Sequence, residues 1–567
     1  MNGAEYIIQF LEKKGVDLVF GYPGGAVLAL YDALGRSSIK HILTRHEQGA
    51  IHGADGYARV TGKTGVCFAT SGPGATNLIT GIANAYLDSA PILVITGQVG
   101  VDSIGRDSFQ EADIVGITMP IVKHNYLVKS LYDLPAVLEE AWNVAQRGRP
   151  GPVLIDVPKN VFAGVADFPE AVFTPPNRKI PLKNSLEKQI ERAVAALREA
   201  QKPLILAGGG VVASGAEDLL AEFRKHTKIP VVNTLMGKGA VPEELGGSLG
   251  MVGMHGKPAA NLALSGCDVL LALGVRFSDR VTGNPQNFLP ATCIIHVDID
   301  PAELSKNVHT EIPVVSDVQK FLTLLLSRLK EEGFKPRYGP WLAQVDAWVK
   351  QYPLHFETGD LLKPQQIINE VAKQVTGAPV VVTDVGQHQM FVAQFFPVQG
   401  KRNFITSGGL GTMGFGLPAA MGAAFGRPGE QVVLFTGDGG FQMTVQELAV
   451  MAQYQLPVKA FIINNSCLGM VRQWQELFFK EHYAHSLFSC GPDFVKLAEA
   501  YGVKGLRLAQ PAELAGTIRE ALQHSGPVVV DCLVDQGENV LPIIPPGGQP
   551  NEMLGRWRGE AHVSRIS

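Results

Sequence analysis

Short, uninterrupted apolar runs rich in β-branched residues recur along the chain, and no other feature constrains its fold as tightly. Clear cases are 65–70 (GVCFAT), 92–96 (ILVIT), 204–207 (LILA), 269–273 (VLLAL), 380–383 (VVVT), 432–436 (VVLFT) and 460–464 (AFIIN). A strand apolar at every position is buried on both faces, as in a parallel sheet covered by helices. Most runs lead into Gly, Asp, Ser or Asn and then into a helix-forming stretch, which is the rhythm of doubly wound α/β domains. With 567 residues the chain is too long for one core. Residues 167–184, dense in Pro and charge, and 331–364, with four prolines and no strand-like run, read as linkers. They divide the chain into three α/β domains with mainly parallel sheets, over 1–165, 185–335 and 365–540. The tail, 541–567, holds too many Pro and Gly residues for a packed element and reads as a mobile flap.

Charge and cysteine usage remove several classes of function. The 49 Lys+Arg nearly balance 53 Asp+Glu, so no basic excess exists to track a phosphate backbone, and nucleic acid is not a predicted partner. The six cysteines form no Cys-x-x-Cys pair, which offers neither a zinc site nor a disulfide framework and fits a reducing cytoplasm. The N-terminal residues place Glu5 and Glu12 among apolar positions at helical spacing, unlike a signal peptide. No apolar run reaches the roughly 18 residues of a membrane span, so no membrane association is predicted.

The most informative segment is 432–470. One strand ends in Gly437-Asp438-Gly439 and the next in Asn464-Asn465, with residues 440–463 between them, long enough for a single right-handed crossover. Both motifs then stand at the carboxyl edge of one sheet, where open α/β folds bind ligands. Asp438 supplies a carboxylate and Asn465 a side-chain carbonyl, hard donors for an Mg²⁺ that takes its other ligands from a diphosphate. A lone GDG is usually a tight turn and a lone NN usually a loop; the spacing and strand context make the pair informative.

This segment resembles the signature of thiamine-diphosphate enzymes, and the layout of nearly the whole chain resembles the pyruvate oxidase and acetohydroxyacid synthase family. The resemblance implies a pyrimidine-binding N-terminal domain, a central flavin-binding domain and a C-terminal domain for diphosphate and Mg²⁺. By residue match, Val385, Gly386, Gln387, His388, Gly411 and Met413, together with Gly437, Asp438, Gly439 and Gly440, would bed the thiamine diphosphate. Gly469 and Met470 would contact its aminopyrimidine, and the backbone carbonyl of Cys467 would join Asp438 and Asn465 on the metal. Glu47, in RHEQGA, matches the catalytic glutamate, whose carboxyl partners N1′ of the cofactor. Without the family it would read as a solvated residue in a helix's first turn. Because the family shares each cofactor between the N-terminal domain of one chain and the C-terminal domain of another, a homodimer or homotetramer with interfacial active sites is implied.

Several segments resemble acetohydroxyacid synthase in particular. Gly24 and Gly25 in GYPGGA, the SGPGATN turn, Phe109 and Gln110 match residues near the substrate, and Lys159 matches one at the entrance. Trp474 matches the tryptophan that favours 2-ketobutyrate as second substrate, and Arg280 the arginine that pairs with that substrate's carboxylate. The central domain matches the FAD-binding form through Gly208, Gly209, Gly210, Thr234, Leu235, Met254, His255, Gly274, Val275, Arg276, Asp298, Ile299, Asp300, Asp317 and Val318, with Arg149 from the N-terminal domain. Arg106, Ser278, Ser316 and Gly440 depart from the usual pattern. The implied activity is decarboxylation of pyruvate and ligation of the two-carbon unit to pyruvate or 2-ketobutyrate, on the path to valine, leucine and isoleucine. A separate small regulatory subunit is also implied. An FAD-reducing pyruvate oxidase and a non-catalytic regulatory homologue are the alternatives.

Overall fold

In the computed structural model, which describes residues 1–168, 185–242, 246–557 and 563–565, the apolar runs form the centres of three six-stranded sheets. Every strand pair within them is parallel. The N-terminal sheet runs Lys40–Leu43, Leu18–Tyr22, Gly65–Ala69, Ile92–Gln98, Pro152–Pro158, His124–Leu127. The C-terminal sheet runs Phe404–Ile405, Val380–Thr383, Val432–Gly437, Val458–Asn464, Val528–Leu533, Lys504–Leu508. Numbered in chain order within each sheet, both read 2-1-3-4-6-5. The central sheet, Ser248–Met251, Val231–Asn233, Pro203–Ala207, Val269–Leu273, Cys293–Asp298, Ile312–Val315, reads 3-2-1-4-5-6, the order of dinucleotide-binding domains. The strands beside each switch point are buried along almost their full length, as continuous apolar runs require.

The N- and C-terminal domains share one core. Helix Glu47–Thr61 follows the second strand of the N-terminal sheet, and helix Gly416–Gly426 follows the second strand of the C-terminal sheet. They cross where Gly53 and Gly56 meet Ala419 and Gly422, so closely that a side-chain carbon on Gly422 would lie 2.8 Å from the carbonyl carbon of Gly53. Phe20, Tyr57, Phe415 and Met421 close around this crossing.

Two segments differ from the sequence reading. The stretch read as the second linker contains helix Gly339–Gln351, whose Trp341 and Val345 are buried in the central core, with the Trp341 indole donating to the carbonyl of Pro203 at 3.0 Å. Prolines at both ends of this stretch masked a four-residue apolar spacing within it. The tail is not a free flap: Ile544, Met553 and Trp557 are buried and pack with Leu262 and Tyr352 of the central region. Pro and Gly prevented a long regular element there but not the burial of these side chains, or of Ile543 beside them. Residues 169–184 of the first linker lie outside the described residues. Among the described residues no helix is long and apolar enough to cross a membrane.

Candidate active site

The carboxyl edge of the C-terminal sheet gathers the predicted diphosphate residues. Val385–His388 follow Val380–Thr383, Asp438 follows the adjacent strand Val432–Gly437, and Asn465 follows the next, Val458–Asn464. Together with Met413, Gly437, Gly439, Gly440, Cys467, Gly469 and Met470, they line one narrow cleft. Its wall is tight: a side-chain carbon on Gly469 would lie 2.6 Å from the Asn465 amide nitrogen. The Asn465 amide donates to Gln387 Oε1 at 3.2 Å, and Gln387 in turn donates to Gln473 and to the carbonyl of Glu538. Asn465 is thereby oriented with its carbonyl oxygen on the side that also accepts from Cys467 N.

The chemistry of this cleft fits a diphosphate bound through a divalent cation. Burial pushes the Asp438 carboxyl up to about 7, against several backbone N–H groups, and the charged group acting on it is another acid, Asp531. A cation there would supply a counter-charge, and one carboxylate with amide and backbone oxygens is a donor set for Mg²⁺ rather than for a soft metal. Among the described residues no group of three or more His, Cys, Asp or Glu could hold a metal. The ring of His388 is buried, held neutral with its pKa down at about 4 by desolvation, and its Nε2 has no partner. Burial pushes the Cys467 thiol up to about 11, which leaves it a poor nucleophile and a poor metal ligand.

Glu47 opens helix Glu47–Thr61 at the carboxyl edge of the N-terminal sheet, 8% exposed, with its Oε2 accepting from the Asn77 amide at 2.9 Å. Gly24, Gly25, Gln110, Lys159 and the SGPGATN turn follow strands of the same sheet at that edge. Phe109 stands there 88% exposed. None of these residues lines the cleft of Asp438, whose walls come entirely from 364–538. Within one chain, the two halves of the predicted site therefore do not share that cleft.

A second cavity, of about 1150 Å³, lies at the switch point of the central sheet and exceeds the roughly 300–1,000 Å³ of an ordinary ligand pocket. Its walls include Gly209, Gly210, Thr234, Leu235, Met254, His255, Gly274, Val275, Arg276, Asp298, Ile299, Asp317, Val318 and Arg149. Gly208 and Asp300 flank it without lining it. The first turn after strand Pro203–Ala207 comes so near the fourth strand's end that a side-chain carbon on Gly210 would lie 2.6 Å from the Cα of Gly274. The His255 ring is buried with Nε2 unpartnered, and burial lowers the pKa of Arg276. These glycines, the unpartnered imidazole and the desolvated guanidinium fit a dinucleotide. Trp474, Arg280, Gly411, Met413 and Met470 line the same cavity; Gly411, predicted for the diphosphate, is absent from the Asp438 cleft, whereas Met413 and Met470 line both.

Comparison with known proteins settles the family. Residues 1–117 match the thiamine pyrophosphate enzyme N-terminal TPP binding domain, 190–325 the central domain and 384–532 the C-terminal TPP binding domain. The chain is 46% identical to the probable acetolactate synthase large subunit of Methanocaldococcus jannaschii, over 100% of this chain and 97% of that one. It is 46% identical to the acetolactate synthase large subunit of Lactococcus lactis, over 98% and 96%, and 45% identical to the isozyme 2 large subunit of Escherichia coli, over 98% and 99%. The chain belongs to the acetolactate synthase large subunits.

Against that family, the departures have visible surroundings. A side-chain carbon on Gly440 would lie 2.8 Å from Oδ1 of Asp384, so a larger residue there would press on a carboxylate that matters to the cleft. Sequence reasoning missed that carboxylate: Asp384 is fully buried and accepts from the backbone of Val385, Gly414 and Gly416, fixing the loop that carries Met413. Its place directly after an apolar strand was the available signal. Also missed were Arg59 and Asp88, an ion pair at 3.1 Å that lines the larger cavity and holds the backbone of Gly408 and Gly409 against the N-terminal domain. Ser278 precedes the short helix Asp279–Thr282, and Ser316 donates to the carbonyl of Asp317, so both sit in ordinary local structure. Arg149 pairs with Glu303 at 2.8 Å, a partner no local pattern announces.

Proposed function

We propose that this acetolactate synthase large subunit decarboxylates pyruvate and ligates the two-carbon unit to pyruvate or 2-ketobutyrate, forming 2-acetolactate or 2-aceto-2-hydroxybutyrate. The observation that carries the proposal is the placement of Asp438 and Asn465 on adjacent strand ends of one cleft, with a donor set that suits Mg²⁺. Bound thiamine diphosphate supplies an electron sink for the carbon left by CO₂. Asp438, Asn465 and the Cys467 carbonyl would hold its Mg²⁺, and Gln387, His388 and Gly439 would bed its diphosphate. Glu47, with Oε2 held by Asn77, keeps Oε1 free to hold or move a proton at the cofactor's pyrimidine. Arg280 would hold the carboxylate of the second keto acid, and Trp474 would shape the space beside it. FAD in the central cavity would be structural, because the net reaction transfers no electrons.

The separation of Glu47 from the Asp438 cleft supports a homodimer or larger homo-oligomer in which each site takes its N-terminal half from a second copy. The relatives' description as large subunits supports a small regulatory partner. Unpaired, scattered cysteines support a cytoplasmic setting. Purified chain supplied with thiamine diphosphate, Mg²⁺ and pyruvate should form acetolactate, and Glu47→Gln should lower the rate by about a hundredfold, the scale of a lost acid–base group. No acetolactate from the wild-type chain would overturn the proposal. Flavin bleaching at the turnover rate would point instead to an oxidase.

A further inference from the structure

The turn that delivers Glu47 into its helix is held by a residue from the other end of the chain. Glu447, 0% exposed, closes a single helical turn, Val445–Glu447, in the C-terminal domain. Its carboxylate accepts from the backbone N–H of Arg45 with both oxygens, at 3.0 and 3.2 Å. The same carboxyl abuts Gly49 in the first turn of the helix: a side-chain carbon there would lie 2.5 Å from its Cδ. Gln453, six residues further on, accepts from the Arg45 guanidinium at 3.1 Å. A carboxylate at a helix N-terminus is favoured by the helix dipole and by the N–H groups that have no partner within the helix.

We infer that Glu447 is a positioning residue for Glu47: it anchors residues 45–49 from the C-terminal domain and so fixes the direction in which the Glu47 carboxyl points. Burial raises the Glu447 carboxyl to about 7, while the N–H groups of Arg45 and His46 oppose the shift. It is thus a desolvated acceptor whose retention the backbone contacts explain. Gly49 follows from the same arrangement, since a side chain at that position would displace the carboxyl. The inference rests on Glu47 acting as the acid–base partner of thiamine diphosphate.

The test uses the whole chain in two states. Deuterium exchange at C2 of bound thiamine diphosphate reports what Glu47 does to the cofactor, and backbone amide exchange over residues 43–50 without cofactor reports the anchor. At pH 8.5, above its raised value, Glu447 is ionised, and Glu447→Gln should speed exchange of the Arg45 amide about tenfold and slow C2 exchange about tenfold, the difference between a charge-assisted and a neutral hydrogen bond. Thiamine diphosphate affinity should stay within about twofold, because the diphosphate cleft is untouched. A merely structural role would weaken cofactor binding and leave C2 exchange in the bound form unchanged. Glu47→Gln should slow C2 exchange and leave the Arg45 amide as in the wild type. If Glu47→Gln slows C2 exchange and Glu447→Gln does not, the positioning role is wrong. If Glu47→Gln leaves C2 exchange unchanged, the reading of Glu47 fails first and the inference with it. Should Glu447→Gln not fold, Gly49→Ala pushes the carboxyl off its anchor from the other side. It should give the same pair of changes, and wild-type behaviour from it would equally overturn the inference.

Discussion

Replacing Gly422 by Ala tests how tightly the two cofactor-type domains are joined. The added carbon would meet the backbone of Gly53, 2.8 Å from its carbonyl carbon and 3.0 Å from its Cα, where ordinary contacts lie at 3.4–4 Å. Backbone cannot rotate away, so the helices Glu47–Thr61 and Gly416–Gly426 must part. Overpacking of this kind costs about 1–3 kcal/mol, and parting also loosens the contacts of Phe20, Phe415 and Met421 across the crossing. Against this, Ala is the better helix former by about 1 kcal/mol. The net expectation is a loss of up to about 2 kcal/mol. Gly516 provides the control, since it lies in helix Leu514–Gln523 with nothing within 4 Å of an added carbon. There the propensity term acts alone, and Gly516→Ala should stabilise by about 0.5–1 kcal/mol. Thermal unfolding of both variants at one scan rate and cofactor concentration should shift in opposite directions. A Gly422→Ala chain as stable as Gly516→Ala would refute the argument from close approach.

Three further outcomes follow from single residues. His52 is buried against Phe415 with both ring nitrogens unpartnered and its pKa lowered to about 3, so the folded chain binds its proton less readily than the unfolded chain. Its stability contribution is therefore complete above about pH 6.5 and is lost as pH falls through that window. His52→Leu should remove this loss, and denaturant midpoints should show the variant gaining on the wild type by about 1.4 kcal/mol per pH unit below 6.5. Gly274 has φ +59°, and an added carbon would meet Gly210, so if the central cavity takes FAD as proposed, Gly274→Ala should lower the FAD that co-purifies by about tenfold, read from visible absorbance. Trp474→Leu should shift product from 2-aceto-2-hydroxybutyrate toward acetolactate by about tenfold when both keto acids compete; an unchanged ratio would remove Trp474 from substrate choice.

Much of this architecture is legible in the sequence because burial on both faces leaves continuous apolar strands, and because Asp438 and Asn465 sit directly where such strands end. The central strand order was not legible: 3-2-1-4-5-6 and 2-1-3-4-6-5 arise from similar alternations of strand and helix and differ only in which strands pair. Helix Gly339–Gln351 and the packed tail were hidden for another reason, since prolines mark where regular structure stops and say nothing about what is buried between them. Asp384, Glu447 and the Arg59–Asp88 pair act across long sequence separations, so no local pattern encodes them.

The distance between Glu47 and the Asp438 cleft has a genetic consequence. On the two-copy reading, a chain with Glu47→Gln and a chain with Asp438→Asn are each inactive alone, yet each lends its undamaged half to the other. In a mixed pair both lesions fall in one site and the second site is whole. Random pairing of the two dead proteins then returns roughly a quarter of the wild-type rate. Mutations at this locus would accordingly complement one another by position, according to which end of the chain they strike.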